Sequence, residues 1–160
     1  MLSVEQFLRI RKIILKDYER RAFLIEEIYS ASKGLFNKKA FERMENTRTL
    51  FKQVLSGISV AIKNIRIIGG EDVFVEKVVK TMETERTILS RVYSSFICAK
   101  KTNREITKDQ SAIIPLLSEL RQLSFILREH IEKEKLIVKQ IENELLKISQ
   151  QKRKSLATTY

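Results

Sequence analysis

Two carboxylates stand on helical stripes that are otherwise largely apolar. Glu85 interrupts the series Val75, Val78, Met82, Leu89, Val92, Phe96 and Ala99, and Glu134 interrupts Leu117, Leu120, Ser124, Leu127, Ile131, Val138, Ile141, Leu145 and Ile148. Carboxylates facing the interior of a helical bundle are the donors of di-metal sites, which take a Glu from each of two helices and Glu-x-x-His from the other two. The only histidine is His130, and Leu127 stands three residues before it, so that motif is absent. Counted along the helices from the connection between them, Glu85 falls level with residues 128–131, about one helical turn or more short of Glu134. The expectation is therefore two separate structural carboxylates, each bonded to an arginine of a neighbouring helix such as Arg11 or Arg21.

The remaining reactive side chains lack partners of the right type. His130 sits between Glu129 and Ile131, on what the periodicity makes the solvent-facing flank of the last helix, with no serine or cysteine nucleophile motif to serve. Cys98 lies between Ile97 and Ala99, an apolar setting that favours an inert, packed thiol. Gly69-Gly70 belongs to neither a G-x-x-x-x-G-K-[ST] nor a G-x-G-x-x-G loop. These absences lead us to expect no enzyme: no catalytic residue, metal ligand or cofactor-binding residue is assigned.

Anion binding is the chemistry the sequence favours more. The chain carries 31 Lys and Arg against 20 Asp and Glu, a net charge of +11. The excess is local: residues 1–33 contribute +2, residues 34–70 +5, residues 71–106 +1 and residues 107–160 +3. Arg48, Lys52, Lys63 and Arg66 recur at helical spacing with Ser56 and Ser59 among them, forming a strip able to follow a phosphate backbone. A second group, Lys147, Lys152, Arg153 and Lys154, has no acid after Glu144. Against nucleic acid stand the absence of Trp, aromatics that mostly fall on or beside the apolar stripes, and the lack of any helix-turn-helix, zinc-finger or RNA-binding signature.

The elements that must position these groups are helices. Four glycines and one proline in 160 residues leave too little turn chemistry for a many-stranded sheet. Apolar positions alternate spacings of three and four in four long stretches. Besides the two above, these are Phe7, Ile10, Ile14, Leu15, Tyr18, Ala22, Ile25 and Tyr29 in the first, and Met44, Thr47, Phe51, Val54, Ile58, Ala61, Ile65 and Ile68 in the second. Three junctions separate them: Lys33-Gly34-Leu35-Phe36-Asn37, Gly69-Gly70, and a point within residues 101–115. Ser3 and Gln6 form a capping box with Leu2 and Phe7 as the staple pair, and Asn37 can cap the second helix with Phe36 and Phe41 as its staple. Glu71 and Asp72 place negative charge where the third helix begins. The fourth helix begins either after Thr107, with Pro115 inside it, or after Ser111; the later start is preferred and gives a length closer to its neighbours'. An earlier start would leave Ile141, Leu145 and Ile148 overhanging the bundle.

Sustained spacing of this kind and short connections predict an all-α, antiparallel up-down-up-down four-helix bundle with long helices. Residues 1–150 form its single domain, and residues 151–160 a basic, polar tail that frays. An apolar share of 43% with 32% charged residues is a folded composition, and a single cysteine points to a reducing, cytoplasmic setting. The longest uncharged stretch, residues 53–62, is far below the roughly 20 apolar residues of a spanning helix. The functional expectation is a non-enzymatic interaction or scaffold module, with a protein partner or a second copy of itself. Leu50, Leu55, Ile62, Phe125 and Ile137 widen the apolar faces in that direction. The alternative is a basic protein binding nucleic acid non-specifically through the second helix and the C-terminal basic run.

Overall fold

The computed structural model describes residues 1–33, 40–105 and 113–158, and the side chains within them other than those of residues 32–33, 40–45, 97–105, 113–114 and 157–158. These residues form four α-helices and no strand: α1 (Val4–Lys33), α2 (Ala40–Gly69), α3 (Val73–Glu105) and α4 (Ile113–Thr158). The start of α1 is the capping box. The Ser3 amide donates to Gln6 Oε1 at 2.9 Å and the Gln6 amide to Ser3 Oγ at 3.1 Å, satisfying two amides that no helical turn reaches. Asp72 caps α3 through Oδ1, which accepts from the Phe74 amide at 2.9 Å. Between them Gly70 closes α2 at a φ of 60°, the left-handed conformation that favours glycine. The caps expected from Asn37, Thr107 and Ser111 lie outside the described residues.

The three-four spacing places the core. Thr47, Phe51, Val54, Ile58, Ala61 and Ile65 are buried on α2, and Val75, Met82, Leu89, Val92 and Phe96 on α3. Helix α1 lies against α2 and α4, α2 also against α3, and α3 touches α4 only lightly. Side chains of α1 reach α3 as well: Phe7 meets the Phe74 ring at 4.8 Å and Arg21 meets Glu85. A helix with three neighbours needs a broad buried face. Asp17, Arg21, Leu24 and Ile28 are accordingly buried on α1 beside the expected Ile10, Ile14, Tyr18, Ala22 and Ile25.

Leu50, Leu55 and Ile62, read in the sequence as surplus apolar surface, are half-buried and packed on this core, because α2 faces both α1 and α3. Phe125 alone of that set is largely exposed. Pro115 is the third residue of α4 as described, and the choice between the two expected starts lies outside the described residues. Even counted from Ile113, α4 does not match its neighbours in length. At 46 residues against 30, 30 and 33, it continues through the basic run to Thr158, where a frayed tail was expected.

Two glycines of α2 have opposite surroundings. A Cβ at Gly57 would stand 2.9 Å from Nη1 of Arg20, the far end of a flexible, exposed side chain. At Gly69 it would overlap Val75 Cγ2 and stand 3.0 Å from Ile10 Cδ1, both in the core. Gly57→Ala is expected to stabilise the fold by about 0.5–1 kcal/mol through helix propensity. Gly69→Ala is expected to cost about 1–3 kcal/mol through overpacking. Urea denaturation of the two variants checks both signs.

Candidate functional site

The two stripe carboxylates are held apart by two arginines of α1. Glu134 Oε1 accepts from Arg11 Nη1 at 2.7 Å, and Glu85 Oε2 from Arg21 Nη1 at 2.5 Å. Arg11 and Arg21 are ten residues apart, about 15 Å along one helix, so the carboxylates do not share a site. Arg21 is only 2% exposed. Its Nε donates to Asp17 Oδ2 at 2.8 Å, one turn back on the same helix, and its guanidinium lies 4.9 Å from the centre of the Tyr18 ring. One buried cation thus serves two carboxylates from two helices. The Arg11 guanidinium lies 5.1 and 4.9 Å from the ring centres of Phe7 and Phe74, which pack against each other beside it. Among the described residues no group of three or more His, Cys, Asp or Glu side chains could hold a metal ion.

Burial pushes the Asp17 carboxyl above the ordinary aspartate range, against the pull of Arg21. Burial, reinforced by the charge of Glu85, likewise raises the Tyr18 phenol and keeps it protonated. A carboxyl that holds its proton more tightly when folded favours folding at acid pH. Its contribution declines as pH rises from the unfolded value of about 4 through the raised one. Asp17→Asn is expected to flatten the stability curve over that interval, measured by urea denaturation at successive pH values. His130, expected on the solvent-facing flank, is half-buried, its ring centre 5.8 Å from that of Tyr18. The Cys98 side chain lies outside the described ones.

The basic strip of α2 is where the periodicity puts it. Arg48, Lys52, Lys63 and Arg66 are exposed, spread over about 27 Å of helix. Arg66 makes a loose pair with Glu83 of α3 at 3.6 Å, and the Ser59 hydroxyl donates to the Leu55 carbonyl of its own helix at 3.2 Å. The second basic group, Lys147, Lys152, Arg153 and Lys154, is exposed on the last turns of α4, with Lys147 Nζ 3.5 Å from Glu144 Oε1. The two groups lie on different helices.

The largest departure from an enclosed bundle is the end of α4. Along its inward stripe Val138 is 7% exposed, Ile141 and Leu145 are half-buried, and Ile148 is 44% exposed. Every side chain from Leu146 to Leu156 is exposed, including Leu146 at 59% and Leu156 at 64%. The last contacts with α1 come just before: Lys12 pairs with Glu142 at 3.4 Å, and Leu2, Ser3, Val4 and Phe7 form a groove of about 380 Å³ with Gln140, Ile141 and Glu144. About 20 Å of helix therefore continues past the start of α1 with its inward face uncovered. No family model, curated protein or solved structure matches the chain. Any functional reading thus rests on the chain's own surface. No helix among the described residues is long and apolar enough to cross a membrane.

The sequence pattern already contains this feature. The stripe from Leu117 to Ile148 is longer than those on the other three helices and has no equal-length partner to cover it. What the pattern lacks is a sign of where α4 stops, since no glycine or proline follows Pro115.

Proposed function

We propose that this chain is a non-enzymatic interaction module, an antiparallel up-down-up-down helical bundle that offers the projecting end of α4 to a protein partner. The observation that carries this is the continuous helix from Leu146 to Leu156 with every side chain exposed and leucine and isoleucine among them. Exposed apolar surface on a regular helix costs solubility and adds nothing to the core, and a helix face of this kind is a common element of protein recognition. The bundle reading is supported by the order of contacts. Gln6 meets Ile68 and Arg20 meets Gln53, while Arg11 meets Glu134 and Arg128 meets Glu26, so ascending positions on α1 meet descending ones on α2 and α4. A reducing compartment such as the cytoplasm suits a chain with one cysteine.

The test is affinity capture from the native cell with the full chain and an Ile148→Glu, Leu156→Glu variant, each with and without nuclease. Protein retained by the full chain in the presence of nuclease and lost by the variant is the expected result. Equal capture by both chains overturns the reading.

The four exposed cations on α2 favour a second reading, non-specific binding to a nucleic-acid backbone. It predicts retention on DNA at low salt that drops sharply with rising salt and with Lys63→Glu, Arg66→Glu. Capture that disappears with nuclease decides for this reading.

A further inference from the structure

Resting on the interaction-module reading, we infer that the partner of the α4 end is a second copy of the same chain, paired antiparallel with it. The stripe that runs from the groove onto the uncovered end repeats at helical spacing: half-buried Ile141 and Leu145, then exposed Ile148, Lys152 and Leu156, lie along one side of α4. From residue 142 on, its charges are sorted by position, acids first and bases from Lys147 onward. Glu142 and Glu144 stand at the near end, with Glu5 in the first turn of α1 beside the groove, and Lys152, Arg153 and Lys154 stand at the far end. Two such helices side by side in the same direction set base against base. Turned end for end, they set base against acid at both ends.

A two-fold axis between residues 148 and 149 fixes the register. It brings Ile148 near Ile148 of the second copy, sets Glu142 and Arg153, which share one flank of the stripe, within about 3 Å of the same level, and levels Leu145 with the alkyl stem of Lys152 and Ile141 with Leu156. Leu156 and Ile141 are about 22 Å apart along α4, so the end of each helix reaches the level of the other chain's groove. That groove is lined by Leu2, Val4, Phe7 and Ile141 and rimmed by Glu144. Leu156 supplies the apolar group for it. Each chain gives one helix end and one groove, the self-complementary arrangement a two-fold dimer requires. The seam is short, below roughly 1,200 Å² in total, which places the dimer among weak rather than tight complexes.

Sedimentation equilibrium of the full chain, from about 1 to 300 µM, tests this directly, spanning the range of a micromolar Kd. The expected result is a reversible monomer–dimer equilibrium that weakens with salt. Glu142→Arg and Arg153→Glu are each expected to weaken it by about tenfold or more, because each sets like charges opposite one another, and the double variant to restore most of the loss. All the substituted positions are exposed, so unchanged melting by circular dichroism confirms that the variants fold. A chain that stays monomeric across the range overturns the proposal. So does a dimer that Ile148→Glu leaves unchanged, or a double charge variant weaker than either single one. The two readings fail separately. A monomeric chain whose α4 end still captures another protein sinks the second copy alone, whereas capture indifferent to that end sinks the module itself.

Discussion

Arg21→Ala is expected to lower the free energy of unfolding by about 3–5 kcal/mol, one of the two largest single-residue effects in this chain. The guanidinium is almost fully buried and is bonded to Asp17 on its own helix and Glu85 on α3. Truncating it leaves two carboxylates in a poorly solvated interior with no cation between them, and unlinks α1 from α3. The loss should shrink as pH falls, because Asp17, whose carboxyl burial holds above the ordinary range, can then take up a proton and need no counter-charge. Urea denaturation at neutral and acid pH measures both parts. A loss below about 1 kcal/mol, the range of exposed ion pairs, would mean that the cluster is solvated rather than structural. Replacing Arg21, Asp17 and Glu85 together by apolar residues of similar volume should recover much of the loss, since the cost lies in unmatched charge.

Phe51→Ala is expected to cost a similar amount, about 3–5 kcal/mol, by a different route. The Phe51 side chain is fully buried on α2, its ring centre 5.2 Å from that of Tyr93 and 5.8 Å from that of Phe96 on α3. Removing it opens a cavity in the contact on which α3 most depends, because α3 has little hold on α4. The damage should therefore be uneven. Hydrogen exchange should accelerate more in α3 than in the α1–α4 contact, whereas uniform acceleration would show that the four helices open as one unit.

Much of this architecture is legible in the residues. The α2 stripe from Thr47 to Ile65 is buried position for position, and Ser3 with Gln6 makes the capping box its spacing suggests. Glu85 and Glu134 each find one of the two arginines named for them, because a carboxylate on an apolar stripe must meet a cation from a neighbouring helix. Asp17 is less legible. Read singly, it belongs on a solvated face. Four residues apart, Asp17 and Arg21 neutralise each other, and the position of α1 against three helices buries them both. The reach of α4 is less legible still. Helical periodicity continues as long as the sequence permits, while burial stops where neighbouring helices stop. Leu145 and Ile148 obey the same spacing as Leu127 and Ile131, yet they lie at and past the start of α1.

In the proposed module residues 147–158 serve binding and not folding. The direct test is a chain ending at Leu146, compared with the full chain for unfolding free energy at sub-micromolar concentration and for capture of its protein partner in the presence of nuclease. The expected result is stability unchanged within about 0.5 kcal/mol, as for surface positions away from the core, together with loss of capture. A truncated chain that unfolds, or one that captures the same partner as well as the full chain, would contradict it.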